Sequence, residues 1–231
     1  MLRAIIFDFN GVILNDEPLH FQSMLDTVAE LGIRITEEEY YREYLPLDDS
    51  ACLEAICRNH GAQMDNRERS RLLDLKSLNY RRLLRDQYPL FPGAADLVRA
   101  ASRSYPLALA SGARRDEILS TLQATDLLNC FKVIAGAEDF ARGKPHPESY
   151  LFALERLNDA QNGSSHRILP AECLVIEDSV GGVKGARAAG MVCVAVAHTY
   201  PSESLRSASH VVSSIQELKL EELERLCREP S

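Results

Sequence analysis

The sequence lacks the features that mark membrane, secreted and nucleic-acid-binding proteins. No run of apolar residues approaches the ~18 needed to span a bilayer. The first apolar run is short and soon meets Asp8, so we expect no signal peptide. The six cysteines form no CxxC pair and have no dense spacing, which argues against a disulfide framework or a zinc site. We therefore expect a reduced, cytoplasmic protein.

The chain also lacks any block of five or six basic residues, and its charge is acidic overall. It has 34 Asp and Glu against 26 Lys and Arg, which gives a formal net charge of −8. This balance argues against nucleic acid or an anionic membrane as a partner. It does not exclude a small anionic substrate, because a bound metal and a few placed cations can outweigh a distant net charge.

The composition indicates a folded protein with a substantial core. The 231 residues are 45% apolar and 26% charged, with 10 Pro and 12 Gly. These proportions exclude collagen-like, low-complexity and disordered chains. The length allows one large domain or two modest ones.

Short apolar runs separated by helical patterns predict an α/β fold with a parallel sheet. A helix is indicated at 116–128, and an alanine-rich helix at 183–189 ends at Gly190. Residues 158–171 indicate an exposed loop. The predicted strands are 4–9, 107–110, 133–135, 173–176 and 192–197, with a weaker one at 210–212.

The segment from about 16 to 89 has no convincing strand and predicts an all-helical insertion after the first strand. Thr36 followed by three glutamates is a good helix start. We therefore assign residues 1–15 and 91–231 to the α/β core and residues 16–90 to a helical domain. The predicted helices of the insertion are 19–31, 37–45, 50–60 and 66–85.

Polar residues at the ends of the predicted strands carry the chemical information, because ligands of parallel sheets bind at the carboxyl ends of strands. Taken singly, each of them has an ordinary explanation as a helix cap or a solvated surface group. Capping and solvation do not explain why all of these polar residues lie at the ends of strands of one sheet. The four sets are Asp8 with Asn10 and Gly11, Ser111 with Gly112, Lys144 followed by two nearby prolines, and Glu177 with Asp178.

This combination of groups suits phosphoryl transfer. Separated carboxylates hold a hard cation such as Mg²⁺, which also contacts phosphate. A carboxylate can attack phosphorus and become an acyl phosphate, which divides one difficult displacement into two easier ones. Lysine and hydroxyl groups neutralise and orient the phosphoryl oxygens.

The four segments, in this order and spacing, resemble the motifs of the haloacid dehalogenase (HAD) superfamily, and the likeness covers nearly the whole chain. The helical insertion resembles the cap of its β-phosphoglucomutase-like and phosphoglycolate-phosphatase-like branch. The resemblance implies a Rossmann-like, HAD-like core with an inserted all-helical cap domain. It also implies that Asp8 is the nucleophile and that Ser111 and Lys144 bind the phosphoryl group, with Gly112 beside Ser111.

The same resemblance implies a Mg²⁺ cofactor. Its ligands would be Asp8, the main-chain carbonyl of Asn10 and Asp178, with Glu177 in support.

Residue 10 departs from the family pattern, because the phosphatases and mutases have a second Asp there that acts as general acid and base. The amide of Asn10 can form hydrogen bonds but cannot exchange a proton in the useful pH range. General acid–base catalysis is typically worth about 10²–10⁴-fold, so we expect slow turnover. The metal role survives, because it needs only the main-chain carbonyl.

Four interpretations of Asn10 stay open: a slow or specialised phosphatase, another HAD chemistry, a binding or regulatory protein, and an engineered replacement of a natural Asp. Phosphonatase chemistry is disfavoured, because Lys76, the only lysine of the insertion, is expected in a charged helix away from the substrate loop. Dehalogenase chemistry is disfavoured, because Ala113 follows Ser111-Gly112 without the Asn usual after that serine.

The insertion gives hints about the substrate. The loop 45–50 has Pro46 and the acidic Asp48 and Asp49 where mutase-like relatives have a Gly and a basic residue, so we expect a distal phosphate to be repelled. His20 and Arg114 are candidate substrate contacts, with packing and solvated alternatives. We expect a hydrolase acting on a small phosphorylated metabolite, without nucleic acid or membrane partners, as a monomer or weak dimer.

Overall fold

The chain begins in one unit, leaves it for a second, and then returns to the first. The computed structural model describes residues 1–45, 47–85, 87–160 and 166–228. One unit comprises Met1–Asn15 with Pro89–Ser231, and the other comprises Asp16–Tyr88.

The first unit is built on a parallel sheet. Its strands across the described residues are β1 (Ala4–Phe7), β2 (Leu107–Ala110), β3 (Phe131–Ala135), β4 (Cys173–Glu177), β5 (Val192–Val196) and β6 (His210–Val212). They lie in the order β3-β2-β1-β4-β5-β6, and Ile6 lies opposite Ala108 on one side and Val175 on the other. Every residue of β1, β2 and β4 is buried, as expected for strands covered on both faces. The predicted α/β fold class is thus confirmed.

Helices account for most of the remaining chain. No helix within the described ranges is both long and apolar enough to cross a membrane. The helices are α1 (Glu17–Val28), α2 (Glu37–Glu39), α3 (Asp49–Asn59), α4 (Asn66–Arg85), α5 (Ala94–Ser102), α6 (Arg115–Ala124), α7 (Glu148–Ala160), α8 (Val180–Ala188) and α9 (Leu220–Leu226).

The sequence patterns missed α5, α7 and α9, and they misplaced one loop. Asn158, predicted in a loop, lies in the last turn of α7. Its amide accepts from the Ile168 N–H at 2.7 Å and donates to the Ile168 carbonyl at 3.1 Å. These hydrogen bonds anchor Ile168, although the composition of the predicted loop 158–171 indicated an exposed segment. Residues 161–165 of that loop lie outside the described residues.

The second unit is helical, and its core forms between packed helix faces. Helices α1 and α4 pack against each other, as do α3 and α4. The predicted Thr36 cap is confirmed, since its hydroxyl accepts from the Glu39 N–H at 3.1 Å. The predicted helix 37–45 is divided into α2 and one turn of π-helix at Tyr40–Tyr44. The fully buried side chains of this unit include Tyr44, Met24, Leu53, Ile56 and Leu72.

Candidate active site

Three carboxylates meet at the carboxyl ends of β1 and β4, the two strands between which the strand order reverses. Asp8 follows β1, and Glu177 and Asp178 stand at the end of β4. The Asp8 N–H donates to the Ile176 carbonyl at 2.9 Å, which continues the ladder of these two strands. Ligand oxygens of the three carboxylates lie within 4.8 Å of one another, and all three residues are buried. The sheet therefore brings together three of the residues singled out in the sequence.

Lys144 joins this cluster from the segment before α7. Its Nζ donates to Asp8 Oδ1 and, at 2.6 Å, to Glu177 Oε1. Burial opposes the ammonium charge, but the two carboxylates outweigh burial and raise the pKa of Lys144. The lysine is therefore a permanent positive charge against the Asp8 carboxylate.

Glu177 is saturated with hydrogen bonds. Oε1 accepts from Lys144 and from the Tyr150 hydroxyl at 2.8 Å. Oε2 accepts from the N–H groups of Asp178 and Ser179 and from the Ser179 hydroxyl. A carboxylate has about four lone-pair positions, so these five donors leave no free position for a metal. Burial raises the pKa of Glu177, but Lys144 and these donors outweigh burial and lower it.

In contrast to the lowered pKa of Glu177, the pKa values of Asp8 and Asp178 are raised. Burial raises the pKa of Asp8 to about 7, against the effect of Lys144. Burial also raises the pKa of Asp178 well above its ordinary value, and the charges of Glu177 and Asp8 add to the effect. With all three carboxylates ionised, the cluster would exceed its single lysine by two negative charges. Hard oxygen ligands with that excess fit a divalent cation such as Mg²⁺.

Gly11 lies against this cluster and has no room for a side chain. Its φ of +78° is in the left-handed region that favours glycine. A Cβ atom built on Gly11 would overlap the carboxylate of Asp178. The residue after Asn10 is therefore glycine for two independent reasons, conformation and space.

Ser111 and Asn10 lie close together. Ser111 follows β2 and is buried. Its hydroxyl donates to Asn10 Oδ1 at 3.5 Å and accepts from the Ala113 N–H at 3.1 Å. Gly112 has open space beside it, with no atom within 4 Å of a built Cβ. The structure thus brings Ser111 to the residue that departs from the family pattern.

The side chain of Arg114 is bonded to a residue outside this cluster. Its guanidinium Nε donates to Asp116 Oδ1 at 3.2 Å, and its side chain is 68% exposed. The Arg114 side chain thus lies in solvent at the start of α6, which was the predicted alternative to substrate binding.

The second unit holds a separate buried cluster around His20 and Lys76. His20 Nε2 donates to Asp16 Oδ2 at 3.1 Å, and Tyr80 donates to the same oxygen at 2.6 Å. Lys76 Nζ donates to His20 Nδ1 at 2.6 Å and pairs with Asp49 at 2.8 Å. Because a lysine is only a donor, this hydrogen bond corresponds to the neutral imidazole with its proton on Nε2.

The prediction that Lys76 is remote from the loop 45–50 was wrong. Lys76 is 3% exposed and forms an ion pair with Asp49, which belongs to that loop. The sequence of α4 is rich in charged residues, so it did not reveal that Lys76 lies on the buried face of the helix. The expected repulsion of a distal phosphate is also weakened, because Asp49 is neutralised by Lys76 and Asp48 accepts from the Ala51 N–H as a helix cap. Pro46 lies outside the described residues.

Three residues that contact the cluster or its neighbouring turn were not predicted from the sequence. Tyr150 donates to Glu177, Thr199 donates to Asp178, and His198 Nδ1 donates to the Gly11 carbonyl at 3.0 Å. His198 and Thr199 follow β5, so they carry the same signal of polar residues at a strand end. Tyr150 lies inside α7, where its pattern is that of a core aromatic residue.

Comparison with known proteins agrees with this geometry. The family model described as haloacid dehalogenase-like hydrolase matches residues 2–190. The chain is 30% identical over 198 residues to a phosphorylated carbohydrates phosphatase of Thermotoga maritima, covering 82% of each chain. It is 28% identical over 215 residues to SUPPRESSOR OF QUENCHING 1 of Arabidopsis thaliana, covering 90% of this chain but only 19% of that protein.

Solved structures are similar over the whole chain. The crystal structure of CbbY from Rhodobacter sphaeroides in complex with phosphate aligns with a TM-score of 0.80 at 25% identity, covering 97% of this chain and 100% of that one. The resemblance drawn from the four motifs is thus confirmed. The chain belongs to the haloacid dehalogenase-like hydrolase family.

Proposed function

We propose that the protein is a Mg²⁺-dependent phosphatase that hydrolyses a small phosphomonoester through an aspartyl phosphate on Asp8. The observation that carries the proposal is the carboxylate cluster at the ends of β1 and β4, with Lys144 bonded to Asp8. The named activity of the Thermotoga relative supports a phosphorylated sugar as the substrate class.

Asp8, the main-chain carbonyl of Asn10 and Asp178 would hold the cation, with Glu177 as the acceptor that orients Lys144. When bound, Mg²⁺ would neutralise the excess charge of the carboxylates and of the phosphoryl oxygens. The raised pKa of Asp8 and of Asp178 fits this assignment, because burial disfavours their charged forms in the protein alone and a bound cation would offset that effect.

In the first step, an oxygen of the Asp8 carboxylate attacks phosphorus while the bond from phosphorus to the ester oxygen breaks. Lys144 and the Ser111 hydroxyl would bind the phosphoryl oxygens, on which the charge is spread. The leaving alkoxide takes a proton from water, because the amide of Asn10 can donate a hydrogen bond but cannot give up a proton.

In the second step, water attacks phosphorus and the bond to Asp8 breaks, which releases inorganic phosphate and restores the carboxylate. The proton of the attacking water passes to solvent, since Asn10 cannot accept it. This step is the one that we expect the substitution at residue 10 to slow most.

A panel of phosphomonoesters, from p-nitrophenyl phosphate to sugar mono- and bisphosphates, tests the proposal by release of inorganic phosphate. We expect slow release in Mg²⁺, none in EDTA and none with Asp8→Asn, which keeps the shape of the side chain but not its nucleophilic charge. Release that is equal with and without Mg²⁺, or in Asp8→Asn, would contradict the proposal.

A second candidate function is a binding or regulatory protein that retains the pocket, and Asn10 is the observation that favours it. The two functions separate in the same assay. A binding protein would show thermal stabilisation by a phosphorylated ligand and no release of phosphate, even over long incubation.

A further inference from the structure

Two polar residues, His198 and Thr199, lie one residue beyond the end of β5 and contact Asp178 and the turn at Gly11. The Thr199 hydroxyl donates to Asp178 Oδ2. His198, the preceding residue, donates from Nδ1 to the Gly11 carbonyl at 3.0 Å. One dipeptide therefore reaches both Asp178 and the turn that follows Asn10.

The contact with Thr199 determines how the Asp178 carboxylate is oriented. A carboxylate on a short side chain can rotate about χ2, and a hydrogen bond to one oxygen selects one orientation.

The contact with His198 fixes the peptide groups around Gly11. The Gly11 N–H donates to the Leu14 carbonyl at 2.9 Å, and the Gly11 carbonyl accepts from His198. The N–H of Gly11 shares a planar trans peptide with the Asn10 carbonyl, so fixing the N–H also fixes that carbonyl. The Asn10 carbonyl is the main-chain oxygen assigned to the cation above.

His198 is itself held in place. Its ring stacks on Phe91, with centroids 3.8 Å apart and an interplanar angle of 11°. Phe91 is bonded in turn to the segment before the second unit, through its N–H to the Ile13 carbonyl at 3.0 Å. Burial lowers the pKa of His198, which favours the neutral imidazole. The imidazole is thus a rigid donor to Gly11.

We propose that His198 and Thr199 are positioning residues for the cation: Thr199 orients the Asp178 carboxylate, and His198 fixes the Gly11 turn and with it the Asn10 carbonyl. The proposal rests on the proposed Mg²⁺ site. Partners behind metal ligands typically contribute about 10–100-fold to metal affinity or activity. Neither residue touches the reacting atoms.

Matched variants separate the hydrogen bonds from packing. Thr199→Val keeps the shape of the side chain and loses the hydroxyl, whereas Thr199→Ser keeps the hydroxyl. His198→Phe keeps a ring to stack on Phe91 and loses the donor, whereas His198→Asn keeps an N–H donor near the position of Nδ1. Titration calorimetry with MgCl₂ alone then measures cation affinity without any substrate.

We expect Thr199→Val and His198→Phe each to weaken Mg²⁺ binding by about tenfold or more, and Thr199→Ser and His198→Asn to stay close to wild type. Unfolding midpoints in EDTA should be similar across the four variants. Unchanged affinity in Thr199→Val and His198→Phe would overturn the inference while leaving the proposed function intact.

Two further outcomes would also overturn the inference. Equal loss of affinity in both members of a pair, with a lowered midpoint in EDTA, would show that the residues act through folding alone. Absence of Mg²⁺ binding in the wild-type protein would remove the metal-dependent function and the inference together.

Discussion

Each unit of the protein contains a lysine paired with carboxylates, but the surroundings of the two lysines differ. Lys144 in the first unit lies against Asp8 and Glu177, both buried. Lys76 in the second unit is 3% exposed, yet its partner Asp49 is 52% exposed. The ion pairs of Lys144 are largely shielded from water, whereas the ion pair of Lys76 has its carboxylate in solvent.

The balance of charge differs as well. In the first unit three converging carboxylates exceed the single lysine; among the residues that the structure describes they form the acidic cluster in which Asp8 and Asp178 are candidate metal ligands and Glu177 is saturated with hydrogen bonds. In the second unit Asp16 accepts from both Tyr80 and His20, and Lys76 is shared between His20 and Asp49. A buried ion pair is therefore not by itself a sign of catalysis; the informative feature is the convergence of three carboxylates within 4.8 Å of one another.

The strongest test of this contrast replaces each lysine by methionine, which has a similar length and no charge. Lys144→Met leaves Asp8 and Glu177 buried without their cation, and we expect it to lower the free energy of unfolding by about 3–5 kcal/mol. Lys76→Met leaves Asp49 able to recover water, so we expect a loss of about 1 kcal/mol or less. Urea unfolding in EDTA measures both, and equal losses would contradict the contrast.

Removal of one excess carboxylate should have an effect whose sign depends on the metal. Because burial raises the pKa of Asp178, the native state keeps its proton longer than the unfolded chain does, and stability falls as pH rises through that range. At pH 8 in EDTA we therefore expect Asp178→Asn to be more stable than wild type. In saturating Mg²⁺ the order should reverse, because only wild type retains the full ligand set.

Thermal unfolding of both proteins, with and without Mg²⁺, checks this reversal. Asp49→Asn, in the second unit, serves as the control, and its stability relative to wild type should not depend on Mg²⁺. A wild-type protein whose midpoint is insensitive to Mg²⁺ would contradict the assignment of the cluster as a cation site.

A smaller effect is expected at residue 10, where the first unit lacks a proton-exchanging group. Asn10→Asp should raise hydrolysis of p-nitrophenyl phosphate in saturating Mg²⁺ by at least about tenfold, which is less than the 10²–10⁴-fold typical of general acid–base help because p-nitrophenolate leaves without protonation. Asn15→Asp adds the same charge five residues later and should leave the rate nearly unchanged. An Asn10→Asp variant that folds and binds Mg²⁺ without any gain would refute the acid–base argument.

Much of the first unit could be predicted because its signals are local. Buried parallel strands are continuous apolar runs, and β2 and β6 were predicted with the observed bounds. β1 ends at Phe7, two residues earlier than predicted, because the chain turns at Phe9, whose carbonyl accepts from the Ile13 N–H at 2.8 Å. Asp8, Ser111, Lys144 and Asp178 each stand next to a strand or a proline turn, and this position is visible in a sequence.

The second unit was harder, because its polar contacts depend on which face of a helix is buried. Nothing local distinguishes Lys76 from the exposed charges of α4, and its pairing with Asp49 spans 27 residues of sequence. Glu177 teaches the same lesson within the first unit. Its sequence position suggested a metal ligand, whereas the donors that saturate it come from Tyr150, Lys144 and its own turn.

We propose that the converging carboxylates of the first unit form a phosphoryl-transfer site with Asp8 as nucleophile. Acid quenching during turnover of p-nitrophenyl phosphate in Mg²⁺, followed by peptide mapping by mass spectrometry, tests this claim. We predict a phosphoryl group on Asp8, accumulating because Asn10 cannot deprotonate the attacking water and declining in Asn10→Asp. Turnover with Asp8 unmodified throughout, or with the phosphoryl group on another residue, would contradict the claim.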